Sequence, residues 1–410
     1  MNLKARISSL GPGLLYAGAA IGVSHLVQST TAGALYGYAL IAAIVIANLV
    51  KYPFFEAGSR YAAVTGKSLL DGYEKLGKWA VWLILIVTVS TMFTIQAAVT
   101  VVTAGIAEKL FGISFEGPIV WSAFLLIICI LLLALGKYTL LDKMIKVIMV
   151  LLAITTLIAL FFSFDTNVVN ETKGEVFSYF NGLHIAFLIT LLGWMPAPMD
   201  ISIWQSLWSV EKQKIDSVSL KSSLFDFKVG FWGTLILAVC FLTLGANVLY
   251  GTGEVIEGSA SKFAAQLLRI YTSSIGEWSF YLIAVAAFFT MFSTTLTCLD
   301  AVPRVLKNIV QKLPGNTTFL SSYWFYILLV SAGTLTVLTF FISSMGQMIK
   351  IATVISFLTA PFIAILNYMV IYKTDLTQDQ KPSKGMQYFS VFGICLLVGF
   401  AIYYLYVLFA

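Results

Sequence analysis

Two stretches of sequence decide the fold of this chain, Gly18-Ala19-Ala20-Ile21-Gly22-Val23-Ser24-His25 and Gly193-Trp194-Met195-Pro196-Ala197-Pro198. Each lies within a long apolar segment, at a point where small and polar residues or two prolines disfavour a continuous helix. A proline removes one backbone donor and clashes with the preceding helical turn. The two stretches therefore predict two long helices that are broken near their centres.

The remainder of the chain is apolar enough to require lipid as its solvent. Of its 410 residues, 59% are hydrophobic and 11% are charged, and the mean hydropathy is +0.92, which is outside the range of soluble domains. A helix needs roughly 20 apolar residues to cross a bilayer, and we predict eleven such spans, numbered 1 to 11. They cover about residues 10–35, 39–63, 80–107, 117–136, 140–163, 183–209, 225–250, 277–301, 320–343, 346–372 and 387–409.

The broken helices are spans 1 and 6, five spans apart. This spacing is typical of secondary transporters with the leucine-transporter fold, in which two inverted repeats of five helices enclose a central site. We predict an all-α membrane protein with one transmembrane domain over residues 1–410. Repeat one would cover about 10–163 and repeat two about 183–372, with an extra helix at about 387–409. Ordinary kinks are the alternative, since glycine and proline are common in transmembrane helices.

The positions of the basic residues predict the orientation. With a cytoplasmic N-terminus, 19 of the 25 Lys and Arg fall at cytoplasmic ends and loops. By the positive-inside rule, the N-terminus is cytoplasmic, the C-terminus lies outside, and the protein sits in the cytoplasmic (inner) membrane. The net charge of +6 then reflects orientation and does not indicate a nucleic-acid partner. The expected partners are the lipid bilayer and a small inorganic ion, with no obligate protein partner.

Enzymatic chemistry is not indicated. The four cysteines lie within predicted spans and lack the spacing of a disulfide framework or a zinc site. No grouping of nucleophile, base and oxyanion donors is evident. We therefore expect no enzyme and no cofactor, with sodium or a divalent metal bound only as a transported species.

Short motifs along spans 1–10 share one resemblance. They are Gly11-Pro12-Gly13, Ala32-Gly33-Ala34, Met195-Pro196, Ser293-Thr294-Thr295-Leu296-Thr297 and Pro361-Phe362. Together they resemble the NRAMP family (natural resistance-associated macrophage proteins), which are divalent-metal transporters. The resemblance implies the broken-helix fold and, by default, a divalent metal as the cargo.

The ion-binding motifs of that family are altered here. The D-P-G-N motif of span 1 corresponds to Gly22-Val23-Ser24-His25, so the metal-binding carboxylate is absent. The M-P-H-N motif of span 6 corresponds to Met195-Pro196-Ala197-Pro198, which keeps the thioether and loses the histidine. The span-10 glutamine falls at Thr359, and the acidic pair of span 3 falls at Gln96 and Val99. The resemblance therefore implies a divergent member with a remodelled site.

The predicted substrate site lies at the two breaks and in span 10. It comprises Gly22, Ser24, His25, Met195, Ala197, Asp200 and Thr359. Met195, Asp200 and His25 are the candidate metal ligands, because thioether, carboxylate and imidazole groups bind transition metals. Each has a structural alternative: Met195 as core filler, Asp200 as a helix cap and His25 as a packed polar group.

A second predicted site would hold a coupling sodium ion. In sodium-coupled leucine transporters, which are related in fold, hydroxyls of span 8 pair with carbonyls of span 1. The corresponding residues here are Ala19, Gly22, Ser293, Thr294 and Thr297. The hydroxyls could instead bond one helix to another. Lys51, a charge inside span 2, is a further functional candidate: it would pair with Asp200 or an anionic substrate, or extend to the membrane surface.

The leading prediction is an NRAMP-related secondary transporter of a small inorganic ion. By resemblance that ion is a divalent metal cation, which crosses the cytoplasmic membrane by alternating access. The alternative is a sodium-coupled symporter of a small anion such as bicarbonate, because helix N-termini beyond each break favour anions. A third class, a membrane sensor, is disfavoured because no soluble output domain is predicted.

Overall fold

The structure is a computed structural model that describes residues 10–135, 138–164, 174–215, 218–253, 259–313, 322–340, 345–374 and 376–409. Within these ranges the chain is helical and contains no strand. Seven helices of the described residues are long and apolar enough to cross a membrane. The predicted all-α membrane fold is therefore confirmed. Lys4 and Arg6, on which the predicted orientation partly rests, lie outside the described residues.

Nine of the predicted spans contain one long helix each. In order, spans 2 to 5 are Ile41–Thr65, Lys78–Phe111, Ile119–Leu135 and Tyr138–Ser163, and spans 7 to 11 are Leu220–Leu249, Phe280–Lys312, Tyr323–Phe340, Met345–Lys373 and Lys384–Phe409. The division into repeats and the single-domain organisation stay predictions.

Spans 1 and 6 are broken where the sequence predicts. Span 1 consists of Pro12–Ala20, a π-helical turn at Ser24–Ser29 and a second helix at Thr30–Tyr36. Span 6 consists of Gly182–Trp194 and Ile201–Gln213, and the two prolines lie between them. The broken centres leave backbone carbonyls and amides without helical partners, as expected at helix ends.

Two short helices connect the spans and were not predicted from the sequence. Leu69–Leu76 joins spans 2 and 3, and Ala260–Ile275 lies between spans 7 and 8. The first begins at Ser68, where Ser68 and Asp71 each bond the backbone amide of the other in a capping box. Both helices are too short to form spans, so apolar run length alone did not reveal them.

Span 7 packs closely against both halves of span 1. A Cβ added to Gly33 would lie 1.9 Å from the carbonyl oxygen of Leu242, and one added to Gly245 would lie 2.1 Å from that of Thr30. Larger residues at these positions would force the two backbones apart. Glycine is therefore required for the approach that fixes the position of the span-1 break.

Candidate functional site

The break in span 1 removes the helical donors of two carbonyls. In a continuous helix the Gly22 amide would donate to Gly18, and the His25 amide to Ile21. Instead, the Gly22 amide donates to the carbonyl of Ala20 (3.1 Å), and the His25 amide donates to the carbonyl of Gly22 (3.2 Å). The carbonyls of Gly18 and Ile21 are thus released towards the neighbouring helix.

Thr294 on span 8 meets these two carbonyls. Its Oγ1 lies 3.0 Å from Gly18 O, 3.2 Å from Ile21 O and 3.1 Å from Thr290 O in its own helix. A Cβ on Gly22 would come within 2.9 Å of Thr294 Oγ1, so a glycine permits this approach. The structure therefore joins the span-1 break to span 8 through Thr294.

The other residues of the predicted sodium site have different partners. Ser293 Oγ donates to Thr290 O at 2.8 Å, and Thr297 Oγ1 donates to Ser293 O at 2.8 Å, both within span 8. The Gly22 carbonyl accepts the amides of His25 and Leu26. Thr294 thus bonds to the carbonyls of Gly18 and Ile21, each one residue before the predicted Ala19 and Gly22.

His25 is fully buried and bonded through both ring nitrogens. Nδ1 lies 2.7 Å from Ser24 Oγ, and Nε2 lies 3.0 Å from the carbonyl oxygen of Thr234 on span 7. Ser24 Oγ also lies 2.7 Å from the carbonyl oxygen of Ala20, to which it donates. The imidazole therefore links the start of the second half of span 1 to span 7, a partner that sequence spacing did not reveal.

The span-6 break contains Met195, Ala197 and Asp200. Met195 is completely buried in an apolar cluster that includes Ile44 and Phe357, whereas Ala197 belongs to the main core. Asp200 is 4% exposed and lies close enough to Tyr73 for the two side chains to interact electrostatically.

Asp200 does not act as a helix cap. It immediately precedes the helix Ile201–Gln213, but its side chain makes no capping hydrogen bond. Its Oδ2 is buried and has no partner among the described residues. Because an unpaired buried carboxylate oxygen is costly, this atom is available for a ligand.

Lys51 reaches the other side of the same break. It is 2% exposed, and its Nζ donates to the carbonyls of Leu192 at 2.6 Å and Gly193 at 3.3 Å. These carbonyls belong to the C-terminal end of the helix Gly182–Trp194, where the helix dipole is negative. The predicted pairing of Lys51 with Asp200 is not formed, since the dipole and carbonyls of span 6 already hold the ammonium.

Span 10 contributes through a neighbour of the predicted residue. Thr359 Oγ1 donates to Ile355 O at 3.0 Å, within its own helix. Ser356, one turn earlier, accepts a hydrogen bond of 2.8 Å from Trp194 Nε1 at the span-6 break. Span 10 is therefore tied to the break by Ser356, whereas Thr359 bonds its own backbone.

A cavity lies at one end of the bundle, beside the second half of span 1 and the first half of span 6. A cavity of about 310 Å³ between spans 1, 6 and 10 is lined in part by Gln28, Thr31, Thr190 and Lys350. At the other end, Asn367 Nδ2 donates to Ser202 Oγ at 2.9 Å, which ties span 10 to the second half of span 6. By the predicted orientation, the cavity lies on the outer side and the contact between Asn367 and Ser202 lies on the cytoplasmic side.

Asp226 of span 7 makes a further contact at the predicted cytoplasmic side. Its carboxylate accepts the amide of Gly11 at 2.9 Å and the amide of Gly13 at 2.7 Å. The two amides flank Pro12 at the start of span 1, where helical donors have no intrahelical acceptor. This contact was not predicted from the sequence, although an acidic residue at the edge of an apolar span is a usable signal.

In the part of the chain that the structure describes, side chains alone do not form a multidentate metal centre. Within the described residues, no three His, Cys, Asp or Glu side chains lie together in a way that could hold a metal ion. Of the predicted metal ligands, Asp200 has a free oxygen, Met195 is enclosed by apolar residues, and His25 is bonded at both nitrogens. Any ion at the breaks would depend on Asp200 and on backbone carbonyls.

Comparison with known proteins decides the family. The model of the family "Nramp: Natural resistance-associated macrophage protein-like" matches residues 13–407. The chain belongs to the Nramp family. Its membership indicates a multi-pass membrane transporter and not an enzyme, and it confirms the predicted family. The sodium-coupled bicarbonate alternative receives no support from these comparisons.

Two known sequences and one solved structure are similar to this Nramp protein. The protein PM0681 of Pasteurella multocida (strain Pm70) is 35% identical over 406 residues, which are 98% of this chain and 92% of the relative. The divalent metal cation transporter MntH of Latilactobacillus sakei is 23% identical over 327 residues, 76% of this chain and 70% of MntH. The crystal structure of the Eremococcus coleocola manganese transporter has a TM-score of 0.72 at 15% identity, and the match covers 97% of this chain and 86% of that one. The fold is therefore that of the Nramp transporters.

Proposed function

We propose that this protein is a secondary transporter that moves a divalent metal cation across the cytoplasmic membrane by alternating access. Membership of the Nramp family supports transport, and the names of the two relatives that state a cargo both specify a metal. The charge distribution supports a cytoplasmic N-terminus and an outer C-terminus. In this orientation the metal enters through the cavity beside Gln28 and Lys350.

The unpaired Oδ2 of Asp200 carries the proposal for a cation. A carboxylate oxygen buried without a donor is expensive, and a bound metal cation is the partner that compensates it most strongly. Gly22 replaces the family's span-1 carboxylate, so Asp200 supplies the negative charge from span 6 instead. Carboxylate and carbonyl oxygens are suitable ligands for Mn²⁺.

The contacts of Lys51 also indicate that the site favours a positive charge. Among the described residues, its ammonium is stabilised by the carbonyls of Leu192 and Gly193, which indicates that this end of the break favours a positive charge. Half-helix C-termini at such breaks commonly coordinate transported cations. We therefore propose that the ammonium competes with the arriving metal and moves away when the metal binds.

Uptake into proteoliposomes tests this function. Purified full-length protein is reconstituted, and uptake of manganese and of labelled bicarbonate is measured with and without an inward sodium gradient. We expect saturable manganese uptake that falls at least about tenfold in Asp200→Asn, because one charged ligand is worth more than about 1.4 kcal/mol. The matched control is Asp379→Asn in an exposed turn, which should transport normally. Sodium-driven bicarbonate uptake without manganese flux would overturn the proposal.

A further inference from the structure

We propose that the cavity between spans 1, 6 and 10, on the predicted outer side, binds a small organic monocarboxylate through Lys350, Gln28 and Thr31. The cavity contains about 310 Å³, which is at the lower end of the range of small-molecule pockets. Asp200 and Met195 do not line it, so the site is distinct from those candidate metal ligands. The inference goes beyond the proposed function, because it assigns a second ligand whose binding requires no metal.

The amide of Gln28 carries the inference. Gln28 belongs to the π-helical turn Ser24–Ser29 and is 6% exposed. It lines the cavity, and its side chain makes no hydrogen bond to a described residue. Buried side-chain amides in proteins usually have hydrogen-bond partners. The two donors of this amide are therefore available to a ligand in the cavity.

Thr31 extends the same wall of the cavity. It lies three positions after Gln28 and also lines the cavity, and its Oγ1 is buried without a partner among the described residues. Thr190 on the opposite wall differs, because its Oγ1 donates to the carbonyl oxygen of Phe187 at 2.7 Å. The free donors of the cavity therefore lie on the span-1 wall.

Lys350 determines the charge of the cavity. It is exposed, and it forms no ion pair with a described residue. Among the described residues that line the cavity, it is the one charged residue, and none is acidic. A cleft lined by one sign of charge attracts ligands of the opposite sign. An ammonium beside amide and hydroxyl donors is a suitable partner for a carboxylate, because hydrogen bonds between charged groups are the strong ones.

The remaining walls favour an organic anion over an inorganic one. They include Val27, Phe187, Phe263 and Ile349. A carbon skeleton would remove these apolar surfaces from water, which is favourable in proportion to the area buried. A hydrated inorganic anion would leave them wet. A single lysine also matches a single negative charge, so the expected ligand is a monocarboxylate.

Two sources could supply this carboxylate. It could bind as a free anion, or it could arrive as a ligand of the transported metal. In the second case, which rests on the proposed function, the carboxylate would offset the repulsion between Lys350 and a divalent cation. Both sources place the same carboxylate chemistry in the cavity, and an assay with and without metal separates them.

Binding of labelled lactate to the purified full-length protein tests the inference. Lactate has one carboxylate, one hydroxyl for the donors of span 1 and one methyl group for the apolar walls. Binding is measured after metal removal on a chelating resin and, in parallel, with manganese present. We expect saturable binding and a rise in the thermal midpoint, without displacement by an equal concentration of chloride. Binding without metal would assign the free anion, and binding that requires manganese would assign the complex.

Variants of the donors locate the site. Lys350→Met should weaken lactate binding by about tenfold or more, because it removes a charged donor, and Lys350→Arg should retain it. Gln28→Leu removes a neutral donor and should weaken binding by about two- to tenfold. Lys109→Met is the matched control: it removes the same charge from the last turn of span 3, which does not line the cavity.

The outcomes distinguish this inference from the proposed function. Absence of saturable lactate binding under both conditions would overturn the inference, whether or not manganese is transported. Displacement by chloride, or unchanged binding in both Lys350→Met and Gln28→Leu, would also overturn it. Lactate binding that depends on Lys350, in a protein that transports no manganese, would refute the function and leave the inference intact.

Discussion

The contact between Asp226 and the start of span 1 makes the sharpest conformational prediction. The carboxylate accepts two amides, those of Gly11 and Gly13, at the N-terminus of the helix Pro12–Ala20. We expect Asp226→Asn to release this half-helix from span 7 and to favour opening of the predicted cytoplasmic side. The substitution is nearly isosteric, so the close packing of the two spans is preserved.

The size of the effect follows from the loss of one acceptor oxygen and of the negative charge at Asp226. An asparagine presents one oxygen in place of two, so one of the two amides loses a charged acceptor, which is worth about 1.5–3 kcal/mol. Loss of the negative charge at a helix N-terminus adds about 0.3–1 kcal/mol. Together these terms amount to about 2–4 kcal/mol. The opening equilibrium of the half-helix should therefore rise by about 30- to 1000-fold.

Hydrogen–deuterium exchange of the full-length protein measures this effect directly. Peptides that cover residues 11–20 should exchange faster in Asp226→Asn, while those that cover the second half of span 1, residues 30–36, should not change. Ser223→Ala is the control, because Ser223 lies one turn earlier on span 7 and its hydroxyl donates to Ser59 on span 2. Unchanged exchange of residues 11–20 in Asp226→Asn would refute the reasoning.

Two more predictions concern charged groups at other positions. Lys51→Met leaves the Leu192 carbonyl without its donor, so the free energy of unfolding should fall by about 1–3 kcal/mol. The Michaelis constant for manganese should also fall, because the ammonium no longer competes with the metal. A rise in that constant would contradict this competition. The second prediction concerns Asp71 and Glu74 at the predicted cytoplasmic surface. Burial alone would raise the pKa of Asp71, but hydrogen bonds from Lys312 and Ser68 outweigh this effect and hold the pKa below the ordinary 3.8. A hydrogen bond from Lys312 also lowers the pKa of Glu74 below 4.5. Because both values are lower in the folded state, the stabilisation is complete above the ordinary pKa values and is lost as the pH falls through the lowered ones. Lys312→Met should therefore flatten the decline of the thermal midpoint on acidification below about pH 5, and an unchanged pH profile would count against this ion pair.

The sequence by itself determined the membrane fold and the two breaks. Lipid offers no partner for backbone groups, so runs of apolar residues must be helices. Pro196, Pro198 and the small residues around Gly22 disrupt helices through local sterics alone. These effects act over a few residues and are therefore readable without the tertiary structure.

The sequence predicted which residue types belong to the site better than it predicted the contacts of each residue. Thr294 was identified from the resemblance to sodium-coupled leucine transporters, and Asp200 from its position just after the prolines of the span-6 break. The amphipathic helices Leu69–Leu76 and Ala260–Ile275 escaped prediction because they are shorter than a span. The same chemical rules gave no means of telling whether His25 would face the breaks or a neighbouring helix.

Only the tertiary structure decided which groups remain free for an ion. Thr294 meets carbonyls more than 270 positions earlier in the chain, and Lys51 takes its partners from the end of a half-helix in span 6. Asp200 retains a free oxygen because no donor packs against it. Hydrogen-bond satisfaction depends on the mutual position and rotation of distant helices, and that arrangement follows from the packing of all spans together.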